Sequence, residues 1–305
     1  FIRILEARPE PFVLYLRPRR FGKSLWLSVL RHYYDVNSEE QFGELFAELE
    51  VGRKPTAKRS SFRVLELDFS GIVADSADEA AEGTRLEVIQ RTLDFLDRYG
   101  LSSAIEPSIL WQLPTAASVL DTCLRIASSS NVPVLVLIDE YDHYTNELLA
   151  RDRNLFASSV ERGGFVRKLF EALKKGTKGV VHRIFITGVT PITLDSLTSG
   201  FNIASNLTLE PSLHDLMGFT RDEVLGLLEE VDVTEDIQRR PIFEELEQWY
   251  DGYRFAPNQG LLFNPDMVLY YLARRGADGS PPEEMLDTNV ASDYRTIERT
   301  LSSNE

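Results

Sequence analysis

Apolar residues fall in short unbroken runs, separated by longer stretches patterned at helical spacing. The runs FVLYL (12–16), RVLELDF (63–69), VPVLVLID (132–139), HRIFITGV (182–189) and NLTLE (206–210) read as buried strands. Segments 23–34, 79–100, 115–129 and 160–175 carry apolar positions three and four apart and read as helices. Strands alternating with helices predict an α/β fold whose largely parallel sheet is covered on both faces. After Glu210 the strand signals give way to GFTRDEVLGLLEEV (218–231) and IFEELEQWYDGY (242–253), both amphipathic at helical spacing. Thr220 with Glu223 reads as a capping box opening the first of these. The expected organisation is a core over 1–213, a helical domain over 214–275 and a loop-like polar extension over 276–305.

The first predicted strand leads into a basic loop that closes on Gly22-Lys23-Ser24, and a helix follows at once. Strand, loop, GKS and helix form the context a phosphate-binding loop requires. Backbone N–H groups and the positive end of the helix dipole hold phosphate oxygens there. Lys23 would reach the β/γ-phosphates and the Ser24 hydroxyl would ligate Mg²⁺. Arg19, Arg20, Phe21, Gly22 and Leu25 complete the candidate cradle. The first glycine of G-x-x-x-x-G-K-[ST] is replaced by Arg17. That position normally needs permissive φ/ψ, so the loop is expected to turn differently.

A phosphate cradle calls for a carboxylate partner, and VLVLIDEYD supplies one. Val134 to Ile138 would place Asp139 and Glu140 at the C-terminal end of a buried strand, where ligands bind in open α/β sheets. Asp139 would hold Mg²⁺, Glu140 would polarise the attacking water, and Asp142 could support either role. Thr187, ending the run RIFIT, would hydrogen-bond that water or the γ-phosphate. Each motif alone has a plainer reading. A basic loop can join strand to helix, acids commonly begin helices, and threonine suits strands for packing reasons. Their co-occurrence favours the nucleotide site.

Composition narrows the partners. With 33 basic and 48 acidic groups the 305-residue chain carries a net charge of −15, which repels nucleic acid and leaves it an indirect partner at most. Basic groups cluster in the loop from Arg17 to Lys23; a second cluster, Arg53 to Arg63, reads as a solvated loop. Cys123 is the only cysteine, so no internal disulfide forms, and an intracellular, reducing compartment is expected. No apolar run approaches a membrane span. His32, His143, His182 and His214 lack metal-ligand spacing, which argues against zinc. A start at Phe1 rather than methionine leads us to expect a fragment or a processed form.

The strings LRPRRFGKSL (16–25), VLIDEYD (136–142), ITGVTPITLDSLTSGFN (186–202), LMGFTRDEV (216–224) and WYDGYRF (249–255) together resemble the AAA-ATPase-like family of P-loop NTPases. The family's loop likewise reads RPRRFGKS, so Arg17 is a family trait. The resemblance implies an ASCE-type core with strand order 5-1-4-3-2 and a helical, winged-helix-like domain behind it. It also implies ATP as ligand, and Arg254 as a lid arginine facing the nucleotide. Two departures stand out. His143-Tyr144-Thr145 follow DEYD where the family often has proline, and the family's opening aspartate-lysine segment is missing. Many relatives continue into a nuclease domain, which residues 1–305 do not contain. The expected activity is a Mg²⁺-dependent ATPase switch acting on a protein effector or within an oligomer. The alternative is a non-hydrolytic nucleotide-binding or scaffold module.

Overall fold

In the computed structural model, residues 1–231, 236–250, 252–275 and 280–285 are described. Apart from 280–285, the expected C-terminal extension lies outside them. The chain divides into two compact units, one formed by Phe1–Arg17 with Lys23–Leu207, the other by Pro18–Gly22 with the described residues from Thr208 onward.

The first unit is built on five parallel strands: β1 (Phe12–Leu16), β2 (Arg63–Asp68), β3 (Val134–Asp139), β4 (Val181–Gly188) and β5 (Ser205–Asn206). Their order, β2-β3-β4-β1-β5, is the 5-1-4-3-2 arrangement of the P-loop fold. All six residues of β3 are buried, and each buried Val, Leu or Ile contributes roughly 1.5–3 kcal/mol. The strand that delivers Asp139 is thereby firmly anchored. Val134, Val136 and Ile138 join a core with the helices Ala77–Arg98, Ala116–Ala127 and Phe165–Gly176. Leu135 and Leu137 point the opposite way and are buried too, as alternation along a strand requires when both faces are covered. The helix Lys23–Tyr34 packs against β2, β3 and β4.

Register aligns the C-terminal ends of the strands. Leu16 pairs with Gly188, and Asp68 pairs with Asp139. One step beyond the Ile138–Ile186 pair, Asp139 stands beside Thr187.

Two elements depart from the pattern-based expectation. The run at 206–210 contributes only Ser205–Asn206 to the sheet, because after Leu207 bonds to Leu14 the chain passes into the second unit. The helix expected over 160–175 starts at Phe165, since Gly163 adopts φ +101° and separates it from an earlier helix, Arg153–Val160.

The second unit holds the helices Arg221–Glu230, Asp236–Tyr250 and Pro265–Arg274. Their core includes Val224, Leu228, Phe243, Leu246, Met267 and Tyr271. Thr220 and Glu223 form the reciprocal capping box. Two antiparallel bridges, Phe219 to Phe263 and Tyr253 to Leu262, tie the connecting segments together.

Candidate functional site

Four of the expected site residues meet at the C-terminal ends of β1, β3 and β4. Asp139, 8% exposed, is the hub. Its Oδ2 accepts from Ser24 Oγ at 2.5 Å, and its Oδ1 accepts from Thr187 Oγ1 at 2.5 Å and from the Glu140 amide at 3.0 Å. A buried carboxylate without such donors would be strongly disfavoured. Ser24 is exposed on the first turn of its helix, whereas Thr187 is fully buried. The Thr187 hydroxyl is thus directed at the carboxylate rather than at solvent. Lys23, 5% exposed, donates from Nζ to the Arg17 carbonyl at 3.3 Å.

Glu140 follows with φ +47°, a left-handed conformation that a glutamate adopts only under constraint. Its carboxylate is partly exposed and lies 3.6 Å from His143 Nδ1, while His143 Nε2 lies 3.6 Å from Glu147.

The structure explains Arg17. Left-handed backbone occurs at Arg20 (φ +66°) and Gly22 (φ +87°), so the turn is made later in the loop and position 17 has no need of glycine. The Arg17 amide bonds to the Gly188 carbonyl at 3.1 Å. Its guanidinium is buried over the Tyr15 ring, 4.2 Å from the centroid, and bonds to Tyr15 Oη and the Leu16 carbonyl. Burial pulls its pKa down to about 10, against the opposing influence of Tyr15.

The remaining loop residues belong to the second unit. Phe21, 1% exposed, packs edge-on against Tyr253 (centroids 4.8 Å apart) and Phe255 (5.6 Å). A Cβ added at Gly218, itself at φ +102°, would come within 3.1 Å of the Phe21 ring. The phenylalanine of RRFGKS, the glycine of LMGF and the last two aromatics of WYDGYRF, Tyr253 and Phe255, are therefore one packing cluster. Arg20 pairs with Asp266 at 2.5 Å. Arg19, Leu25 and Arg254 are exposed.

Sequence reasoning did not anticipate what Tyr141 and Asp142 do. Both side chains grip the segment after β4: Tyr141 Oη donates to the Thr190 carbonyl at 2.5 Å, and Asp142 accepts from the Thr190 amide at 2.6 Å. The joint presence of DEYD and TGVTP was the available signal.

The family model described as Predicted AAA-ATPase matches residues 1–198. The chain belongs to this AAA-ATPase-like family. A curated relative, an uncharacterised protein in the vnfD 5′ region of Azotobacter chroococcum mcd 1, is 26% identical over 261 residues. The match takes in 85% of this chain and 44% of the relative, so the chain spans less than half of that protein's length. Among solved structures, the Aeropyrum pernix ORC2 protein in its ADPNP–ADP complexes matches at 12% identity with a TM-score of 0.39, covering 74% of this chain and 48% of that one. The matched region of the AAA-ATPase-like family includes the GKS turn, the acidic corner and Thr187. No helix of the described residues is long and apolar enough to cross a membrane.

Proposed function

We propose that the chain is a Mg²⁺-dependent ATP-binding and ATP-hydrolysing switch module that drives a fused or partner effector, such as a nuclease. The observation that carries this reading is the convergence of Lys23, Ser24 and the Asp139–Glu140 corner on one end of a parallel sheet. In P-loop enzymes the Ser/Thr after the lysine and the acid ending a neighbouring strand hold the metal together. Ser24 and Asp139 fit that demand: a hydroxyl and a carboxylate, both hard oxygen donors, already touch. One carboxylate with substrate phosphates is the donor set Mg²⁺ prefers. When bound, the ion would offset charge on the β- and γ-phosphate oxygens.

The chain's own groups take distinct parts. Lys23 would contact phosphate oxygens, and the helix N-terminus behind it adds a favourable dipole. Thr187 holds the Asp139 carboxylate in orientation. Glu140, turned outward by its left-handed backbone, would polarise the attacking water. Arg19, Arg20 and Gly22 would supply donors in the loop.

ATP binding and phosphate release on the purified chain with Mg²⁺, beside Lys23→Ala and Glu140→Gln, test the proposal. Binding and turnover in the wild type, with binding lost in Lys23→Ala and turnover alone lost in Glu140→Gln, are expected. Binding without turnover in the wild type would favour the non-hydrolytic module.

A further inference from the structure

Asp142 stands at the N-cap of the helix His143–Arg151, where an aspartate usually accepts from the first amides of its own helix. No such cap bond forms here. The carboxylate, 1% exposed, turns instead to the segment after β4. It accepts from the Val189 amide at 3.1 and 3.2 Å, the Thr190 amide at 2.6 Å and Thr190 Oγ1 at 3.0 Å. Asn146 Nδ2 donates to it at 2.8 Å, and Thr190 Oγ1 also reaches Asn146 Oδ1 at 3.1 Å. Tyr141 secures the same segment, with its amide on the Thr187 carbonyl at 3.1 Å and its hydroxyl on the Thr190 carbonyl. The fit leaves no room at Gly188, where a Cβ would lie 2.4 Å from Asp142 Oδ1 and 2.5 Å from Tyr141 Cδ1.

Glu140 is the residue caught between these attachments. On its N-terminal side Asp139 is held by Ser24 and Thr187. On its C-terminal side Tyr141 and Asp142 are held by residues 187–190. A left-handed glutamate persists only when its surroundings over-determine it, and these attachments supply that constraint. We infer that Asp142 is a positioning residue for Glu140: by gripping Val189 and Thr190 it fixes the strained turn that aims the glutamate. The inference rests on the ATPase reading of Glu140. The negative charge matters because the carboxylate receives donors from three residues at once, and an asparagine side chain must turn its own N–H₂ toward some of them.

The test measures kcat and the ATP dissociation constant for Asp142→Asn and Thr190→Val, and for Asp142→Asn combined with Glu140→Gln. Asp142→Asn is expected to lower kcat about 10–100-fold, the range for partners that orient a reacting group, with ATP affinity within about 2-fold. Thr190→Val removes only the hydroxyl donor and is expected to lower kcat about 3-fold or more in a folded protein, deciding the matter if Asp142→Asn does not fold. In the Glu140→Gln background, which releases no phosphate, Asp142→Asn should leave the ATP dissociation constant within about 2-fold, because its effect runs through Glu140 rather than through nucleotide binding. Wild-type kcat in Thr190→Val, equal losses of affinity and turnover, or weakened ATP binding in the double variant relative to Glu140→Gln would overturn the inference alone. A wild-type chain that binds ATP without turning it over would overturn the hydrolytic reading and this inference with it.

Discussion

Ser24 donates its hydroxyl hydrogen to Asp139 at 2.5 Å, across 115 positions of sequence. β4 lies between β1 and β3 in the sheet, so this bond links the helix after one strand to the end of another two places away. Thr187, at the end of the intervening strand, holds the other oxygen of the same carboxylate. Three chain segments thus converge on one acid at the edge where P-loop proteins bind nucleotide.

Ser24→Ala should weaken ATP affinity only when Mg²⁺ is present. A loss of about tenfold, or ~1.4 kcal/mol, is expected with Mg²⁺, and little change in excess EDTA. Titration with a fluorescent ATP analogue under both conditions checks it. Equal weakening with and without the metal would argue that Ser24 serves the phosphates alone.

Gly188→Ala should destabilise the fold, whereas Gly43→Ala should not. A Cβ at Gly188 meets Asp142 and Tyr141 at 2.4–2.6 Å, and overpacking of this kind costs typically 1–3 kcal/mol. Gly43 lies in the helix Phe42–Phe46 with nothing within 4 Å of its added Cβ. Alanine there should be neutral or add up to about 1 kcal/mol by restricting the unfolded chain. Urea midpoints for the two variants give the comparison.

Much of this was legible in the sequence because it rests on local pattern. The strand Phe12–Leu16 and the helix Lys23–Tyr34 fall where periodicity places them, and the Thr220–Glu223 box is visible from two residues. What escaped depends on contacts between distant segments. The strings DEYD and TGVTP are both visible, but that Tyr141 and Asp142 press on Gly188 is read only from the contact between them. Nothing near Phe21 reveals Tyr253 and Phe255 around its ring. Arg17 drew notice as a missing glycine, yet only the φ values at Arg20 and Gly22 show that the turn had moved along the loop.

Phe21→Ala should cost far more stability than Arg20→Ala. The phenylalanine is buried among aromatics, and truncating such a side chain costs about 3–5 kcal/mol. The Arg20–Asp266 pair is partly exposed, with side chains 29% and 44% accessible, so its worth is at most about 1 kcal/mol after solvent screening. Denaturant titration of both variants separates a packing anchor from a surface ion pair.

Cys123 should resist thiol reagents until the protein unfolds, and it should make the fold sensitive to alkali. The thiol is fully buried, and burial pushes its pKa up from 9.0 to about 12. A raised folded-state pKa gives stability that is intact below pH 9 and lost as pH climbs toward 12. From this group alone the loss between pH 9 and pH 10 is about 1 kcal/mol. Urea midpoints at the two pH values should show that drop in the wild type and a smaller one in Cys123→Ala.

The most direct test of the central claim is phosphate release from ATP by the purified chain with Mg²⁺, read together with nucleotide binding in Glu140→Gln. A wild type that turns over ATP, and a Glu140→Gln variant that binds it as tightly but releases no phosphate, is the result predicted by a water-polarising Glu140 beside a metal-holding Asp139. Unchanged turnover in Glu140→Gln, or tight ATP binding by Lys23→Ala, would contradict it.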